Sequence, residues 1–165
     1  MLVISDTSPI RALEWISRVD ILETLFGAVI VPPTMAHELQ RVDGPYSPIE
    51  DLSCVDRLSA TLDPGESEAI ALALETSDSL LLIDEKSGRH AARELHLNIV
   101  GTVGILILAK ERGLIPALAP VLQQLTSELN FFLSDELVKR ILQNVGEGGR
   151  RRSRRLTFQE AWKAR

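Results

Sequence analysis

The stretch Leu80-Leu81-Leu82-Ile83-Asp84 decides the fold class. Four consecutive aliphatic residues bounded by polar ones are too few for a helix and are typical of a strand that is buried on both faces. Helices are predicted on either side of this run, over 63–75, where 68–75 is rich in strong helix formers, and over 86–95. A buried strand between two helices is typical of βαβ units, in which helices cover both faces of a parallel sheet.

The same alternation continues toward both ends of the chain. Three more apolar runs predict strands, at 2–4, 28–31 and 97–100. Ser8-Pro9 predicts a helix start, with Ser8 as the N-cap and proline in the first helical position. The remaining helices are predicted at 21–27, 34–40, 102–112, 117–129 and 135–143, with a polar loop at 41–48. We therefore expect an α/β fold: a three-layer α/β/α structure around a central parallel sheet of four to five strands.

The composition is that of an ordinary globular domain. Hydrophobic residues make up 45% of the 165 residues and charged residues 25%, which excludes disordered and fibrous classes. The single cysteine, Cys54, excludes a disulfide scaffold and suits a reducing compartment. The opening residues lack the basic segment of a signal peptide, and no apolar run is long enough to span a bilayer. We expect a cytoplasmic protein without membrane contact.

Charge divides the chain into two parts. Residues 146–165 contain seven Lys or Arg and two Glu, whereas residues 1–145 contain 11 basic and 21 acidic side chains. Gly146-Glu147-Gly148-Gly149 marks the end of the compact part. We therefore expect one domain over 1–147 and a basic, flexible tail over 148–165, which is either solvated or lies along a polyanion.

Acidic residues follow two of the predicted strands. Asp6 and Asp84 each end an apolar run, and in open α/β sheets ligands bind outside the carboxyl ends of the strands. If the two strands are neighbours, both side chains enter the same crevice. The alternative for each is an aspartate that only caps a helix.

Glutamates on the predicted helices extend this acidic set. Glu38 lies on the helix after the second strand, and Glu66 and Glu68 lie in the first turns of the next long helix. Asp63 and Glu66 have the spacing of a capping box, which gives Glu66 a structural role. Glu68 has no such partner, and its alternative role is a favourable interaction with the helix dipole.

Carboxylates that converge without a compensating cation repel one another and titrate upward unless divalent ions neutralise them. Hard oxygen ligands favour Mg²⁺ or Mn²⁺ over softer metals. Such ions activate water for attack on a phosphodiester, so no serine or histidine nucleophile is required. The predicted cofactor is therefore Mg²⁺ or Mn²⁺.

The ordered motifs resemble the PIN domain superfamily. They are similar to a prokaryotic, PIN-like subfamily related to VapC-type toxins, which has a GExEAIxLA helix and is often described only as a domain of unknown function. The motifs are Val3-Ile4-Ser5-Asp6-Thr7-Ser8, Val31-Pro32-Pro33 through Glu38-Leu39, Gly65-Glu66-Ser67-Glu68-Ala69-Ile70-Ala71-Leu72-Ala73, Leu81-Leu82-Ile83-Asp84 and Gly101-Thr102-Val103-Gly104. The likeness extends to Gly113 and, more weakly, to about Glu147.

The resemblance implies which residues form the site. Asp6, Glu38, Glu68 and Asp84 match the acidic positions that hold metal and act in catalysis. Four further residues are candidates for supporting or additional roles: Thr7, Ser8, Glu66 and Glu85. Many PIN domains have aspartate where Glu68 stands and a Thr-x-Asp motif before the later acid, and this chain has neither.

The resulting hypothesis is a metal-dependent endoribonuclease that hydrolyses RNA phosphodiesters, as the toxin of a type II toxin–antitoxin pair. Its implied partners are an RNA substrate, a small antitoxin protein and a second copy of the chain in a homodimer. The alternative is a catalytically silent PIN-like module that binds a protein or RNA. A phosphatase that forms an aspartyl-phosphate is a weaker third, because no second aspartate follows Asp6 two residues on.

Basic residues near the acidic set have two interpretations. Lys86, Arg89 and Lys110 could contact RNA phosphates, or they could be ordinary solvated residues on helix surfaces. Aromatic residues make up only 4% of the chain, so a surface for base stacking is not expected.

Overall fold

The computed structural model describes residues 1–34, 47–129 and 131–148. These residues form four strands and eight helices, in the chain order β1 (Leu2–Ser5), α1 (Thr7–Trp15), α2 (Asp20–Phe26), β2 (Val29–Ile30), α3 (Leu52–Leu58), α4 (Pro64–Glu75), β3 (Ser79–Leu82), α5 (Lys86–Glu94), β4 (Ile99–Val100), α6 (Thr102–Glu111), α7 (Ala119–Glu128) and α8 (Asp135–Asn144). None of the described helices is long and apolar enough to cross a membrane.

The four described strands form one parallel sheet in the order β2-β1-β3-β4. In the register, Ser5 lies opposite Leu82, and Leu82 lies opposite Val100. All carboxyl ends therefore meet at one edge of the sheet. Helices flank the sheet in a three-layer α/β/α arrangement, which confirms the predicted fold class with four strands.

The core is centred on β3. Leu80, Leu81, Leu82 and Ile83 are all essentially inaccessible to solvent. Burial of each such side chain contributes about 1.5–3 kcal/mol of transfer free energy. The stretch that predicts the fold class is thus also the most deeply buried one.

The first helix begins differently from its prediction. Its N-cap is Asp6, not Ser8, because Asp6 has extended backbone angles and its carboxylate accepts from the Ser8 N–H. Pro9 still lies in the first turn, where its missing N–H costs nothing. At the other end of the helix, Trp15 is 56% exposed, and its Nε1 donates to Glu128 Oε2 (2.8 Å).

The sequence patterns do not predict α3, in which no residue is fully buried although Leu58 packs against the core. The predicted helix over 34–40, with Glu38, and the polar loop over 41–48 lie largely outside the described residues. Apart from Gly148, the predicted tail over 148–165 lies outside them as well.

Glutamate carboxylates from distant parts of the chain cap two described helices. Glu75 accepts from the backbone N–H groups of Glu50 (3.0 Å) and Asp51 (2.7 Å), at the start of α3. Glu147 accepts from the N–H groups of Leu118 (2.7 Å) and Ala119 (2.9 Å), at the start of α7. Anions are stabilised at helix N-termini by the exposed N–H groups and the helix dipole.

Glu147 also pairs with Lys110 Nζ at 2.9 Å, and both side chains are largely buried. Burial raises the pKa of Glu147, but the Leu118 N–H, the Lys110 ammonium and the Ala119 N–H outweigh it, so the pKa lies below its ordinary value. The ionised carboxylate is therefore the stabilising form.

We expect Glu147→Gln to lower the free energy of unfolding at pH 7 by about 1–2 kcal/mol, since a charged hydrogen-bond acceptor is lost. A lowered folded pKa contributes stability above the unfolded value of about 4.3, and this stability is lost as pH falls. The difference between wild type and variant should therefore shrink below about pH 4. Urea denaturation between pH 3 and 8 measures it, with exposed Glu136→Gln as the control; a constant difference across this range would contradict the role of the charge.

Candidate active site

The carboxyl edge of the sheet brings the predicted aspartates to adjacent strands. Asp6 follows β1, and its backbone N–H donates to Leu82 O at the end of β3 (2.9 Å). Asp84 lies two residues beyond that carbonyl. The neighbouring strands that the sequence hypothesis requires are therefore present.

Asp6 is only 3% exposed. Its Oδ2 accepts from Ser8 Oγ (3.0 Å) and more distantly from Ser8 N (3.4 Å). Burial raises the pKa of Asp6 above its ordinary value; hydrogen bonds from Thr7 and Ser8 oppose the rise, and the charge of Asp63 adds to it. Asp6 therefore caps α1, and burial also disfavours its ionised form. The capping interpretation thus does not exclude a role in metal binding.

Thr102, the first residue of α6, holds Asp84 by two bonds. Its N–H donates to Asp84 Oδ1 (2.8 Å) and its hydroxyl to Asp84 Oδ2 (2.6 Å). Burial raises the pKa of Asp84, the bonds from Thr102 and the charge of Arg89 oppose the rise, and the charge of Asp6 adds to it. The two aspartates therefore repel each other across the β1–β3 pair.

Glu66 joins this electrostatic group from α4. It is 2% exposed, and its Oε1 accepts from the Gly88 N–H (3.1 Å) at the start of α5, whose own N-cap makes no side-chain bond. Burial and the charge of Asp63 raise the pKa of Glu66, and the charge of Asp6 adds to the rise.

The predicted capping box accounts for only part of the surroundings of Glu66. Asp63 Oδ1 accepts from the Glu66 N–H (2.8 Å), and the Asp63 N–H lowers the pKa of Glu66. The carboxylate of Glu66 also accepts from Gly88 and so connects the N-termini of α4 and α5. A Cβ on Gly88 would lie 2.5 Å from Glu66 Oε1, so this contact requires glycine.

Glu68 points to a different neighbour. Its Oε2 accepts from the Thr34 N–H (3.0 Å) and its Oε1 from the Thr34 hydroxyl (2.5 Å). Thr34 is the last described residue before the segment that contains Glu38, which itself lies outside the described residues. Glu85, the fourth additional candidate, is exposed at the N-cap of α5.

Arg89 places a positive charge beside Asp84. Its Nη1 donates to Ile83 O (3.0 Å), immediately before the aspartate. A Cβ on Gly101 would lie 2.6 Å from both Arg89 Nη1 and Asp84 Oδ1, so glycine leaves room for both groups. Thr102 and Gly101 were not predicted as functional residues; the signal was a Gly-Thr pair directly after a predicted strand.

The donor set has the chemistry of a site for a hard divalent ion: the ligands are oxygen atoms only, Asp6 is buried and Asp84 partly so, and the charge of Asp6 repels that of Asp84. Within 1–34, 47–129 and 131–148, however, no group of three or more His, Cys, Asp or Glu residues is placed to hold a metal ion. Asp6 and Asp84 are thus suitable donors among the described residues. Glu38, another predicted ligand, lies outside the described residues.

A family model described as DUF3368, PIN domain, matches residues 2–147. The chain belongs to this PIN-domain family. Neither the curated proteins nor the solved structures gave a significant match. PIN domains are generally metal-dependent nucleases that bind RNA. The finer likeness to VapC-type toxins stays a prediction.

We expect Asp6→Asn to leave the metal-free protein as stable as wild type, or more stable by on the order of 1 kcal/mol. A raised folded pKa gives stability that is complete below the unfolded value of about 3.9 and is lost as pH rises, so ionised Asp6 destabilises the fold at pH 7. Asparagine keeps the cap and removes the charge. Urea denaturation with chelator at pH 7 measures the effect.

The matched control is Asp51→Asn, at the N-cap of α3. A hydrogen bond from Ser53 lowers the pKa of Asp51, and the Cys54 N–H adds to this, so neutralisation there removes a stabilising charge. Asp51→Asn should therefore not stabilise the protein. A large loss of stability in Asp6→Asn would make Asp6 a structural cap alone.

Proposed function

We propose that this PIN domain is an endoribonuclease that uses Mg²⁺ or Mn²⁺ to hydrolyse RNA phosphodiesters. The observation that carries the proposal is the pair of carboxylates, Asp6 and Asp84, at adjacent strand ends: burial raises the pKa of each, and the charge of Asp6 adds to the rise at Asp84. Stable folds rarely bury like charges without a function or a counter-ion. Metal-dependent nuclease activity, which is general in PIN domains, would require such a pair of carboxylates.

Asp6 and Asp84 would hold the ion, together with Glu38 by the likeness of its motif. When bound, a divalent ion supplies Lewis acidity at the phosphate and activates a water for attack. Sequence reasoning assigned the α4 position in this set to Glu68. The charge of Asp6 adds to the raised pKa of Glu66, which supports Glu66 as the α4 carboxylate that adds negative charge to the site. Glu68 would instead hold Thr34 in place.

The surrounding residues of the chain orient the two aspartates. Ser8 fixes one oxygen of Asp6, and Thr102 fixes both oxygens of Asp84, which limits their rotation before substrate arrives. The guanidinium of Arg89 places a positive charge next to Asp84 and so reduces the repulsion that an approaching phosphate would meet.

The finer parts of the proposal rest on the resemblance to VapC-type toxins. They are a toxin role in a type II toxin–antitoxin pair, a small antitoxin partner, a homodimer and a cytoplasmic location. The proposed nuclease domain is 1–147, supported by the family match over 2–147, followed by a basic tail at 148–165.

The deciding experiment incubates the purified chain with end-labelled RNA of mixed sequence and Mn²⁺ or Mg²⁺, with and without chelator. We expect cleavage that chelator stops, and a rate in Asp6→Asn or Asp84→Asn lowered by about 100-fold or more, because even supporting partners of metal ligands are worth 10–100-fold. Equal cleavage by wild type and variants would indicate a contaminant. RNA binding without cleavage would favour the catalytically silent module.

A second comparison separates the two glutamates of α4. Glu66→Gln should reduce the rise in melting temperature caused by Mn²⁺ more than Glu68→Gln does, because removing a charge close to Asp6 weakens attraction for a cation. Thermal unfolding of both variants with and without Mn²⁺ measures this difference. The reverse order would return the metal-binding role to Glu68.

A further inference from the structure

Helix α5 differs in charge from the rest of the acidic body. Residues 1–145 contain 11 basic and 21 acidic side chains, yet three of those basic residues lie within the nine residues of α5. Lys86, Arg89 and Arg93 stand three and seven positions apart, which places them on one face of the helix. Among the eight described helices, α5 alone has more Lys and Arg than Asp and Glu. We call these three residues the α5 basic stripe.

The α5 basic stripe begins at the candidate active site. Helix α5 starts two residues after Asp84, and Arg89 donates to Ile83 O at 3.0 Å. The absent Cβ of Gly101 leaves room for the guanidinium beside the Asp84 carboxylate. From Lys86 to Arg93 the helix advances about 10 Å, at 1.5 Å per residue. The stripe therefore runs along α5 from the acidic site.

The two ends of the stripe are available to a ligand. Lys86 and Arg93 are exposed, and neither makes a hydrogen bond or ion pair with the described part of the chain. The acidic neighbours lie beside the stripe and not on it: Glu94 lies 3.6 Å from His90, with which it forms an ion pair when the imidazole is protonated, and Glu85 precedes the helix as its N-cap.

We propose that the α5 basic stripe binds consecutive phosphates of an RNA strand and leads the strand into the acidic site. The inference rests on the proposed function. An acidic body repels a polyanion over most of its surface, so a strand reaches Asp6 and Asp84 only where cations offset that repulsion. The stripe contacts phosphates and not bases, so its contribution is independent of RNA sequence.

The test compares two double variants of the full chain with equal loss of charge. Lys86→Gln with Arg93→Gln removes the exposed ends of the stripe, and Lys139→Gln with Arg140→Gln removes two exposed cations from α8. Both are made in the Asp6→Asn background, which stops cleavage. Fluorescence anisotropy with a labelled 12-nucleotide single-stranded RNA, at 50 and 200 mM salt with Mg²⁺, measures affinity and its salt dependence.

Loss of two phosphate contacts should reduce the slope of log affinity against log salt by about 1.4, at roughly 0.7 per contact for single strands. Between 50 and 200 mM salt, the factor by which RNA affinity falls should therefore be about sevenfold smaller for the stripe variant than for the parent. The α8 variant should behave like the parent. Equal changes in both variants, or none in either, would overturn the stripe while RNA cleavage by the unsubstituted chain stands. An unsubstituted chain that neither binds RNA at either salt nor cleaves it with Mg²⁺ would overturn the proposed function itself.

Discussion

Parallel pairing of β1 with β3 places two carboxylates side by side at the edge of the sheet, and much of the surrounding polar structure moderates their repulsion. Asp6 donates its backbone N–H to Leu82 O, so the ladder fixes the backbone of Asp6 beside the strand that leads to Asp84. In a buried site, the energy of two like charges falls only if donors or cations face them. Thr7, Ser8, Thr102 and Arg89 are described groups that do so.

Helix N-termini provide a second means of holding negative charge. Three glutamates accept backbone N–H groups at the start of a helix distant in the chain: Glu66 from Gly88, Glu75 from Glu50 and Asp51, and Glu147 from Leu118 and Ala119. A charge-assisted bond of this kind contributes about 1.5–3 kcal/mol. The acidic composition of the domain is therefore partly structural, since these glutamates fasten one element to the beginning of another.

The sequence predicts those features that depend on short stretches. Apolar runs such as Leu80 to Ile83 predict the strands, and carboxylates after them predict the edge that carries Asp6 and Asp84. The distinction between Glu66 and Glu68 depends on where α5 and Thr34 lie in space, which local spacing does not contain. Helix α3 has only seven residues, none of them fully buried, and its start is fixed by Glu75 at the far end of the next helix.

The two aspartates are held in different ways, and this difference bears on how the site would bind a cation. Thr102 donates to both oxygens of Asp84, and Arg89 places a positive charge beside it, whereas the hydroxyl of Ser8 donates to one oxygen of Asp6. Each carboxylate also faces a further negative charge, since Asp63 lies near Asp6 and Asp6 lies near Asp84. A bound cation would offset both repulsions. Asp84, held on both oxygens by one residue, would therefore supply the fixed geometry for an ion that both carboxylates bind.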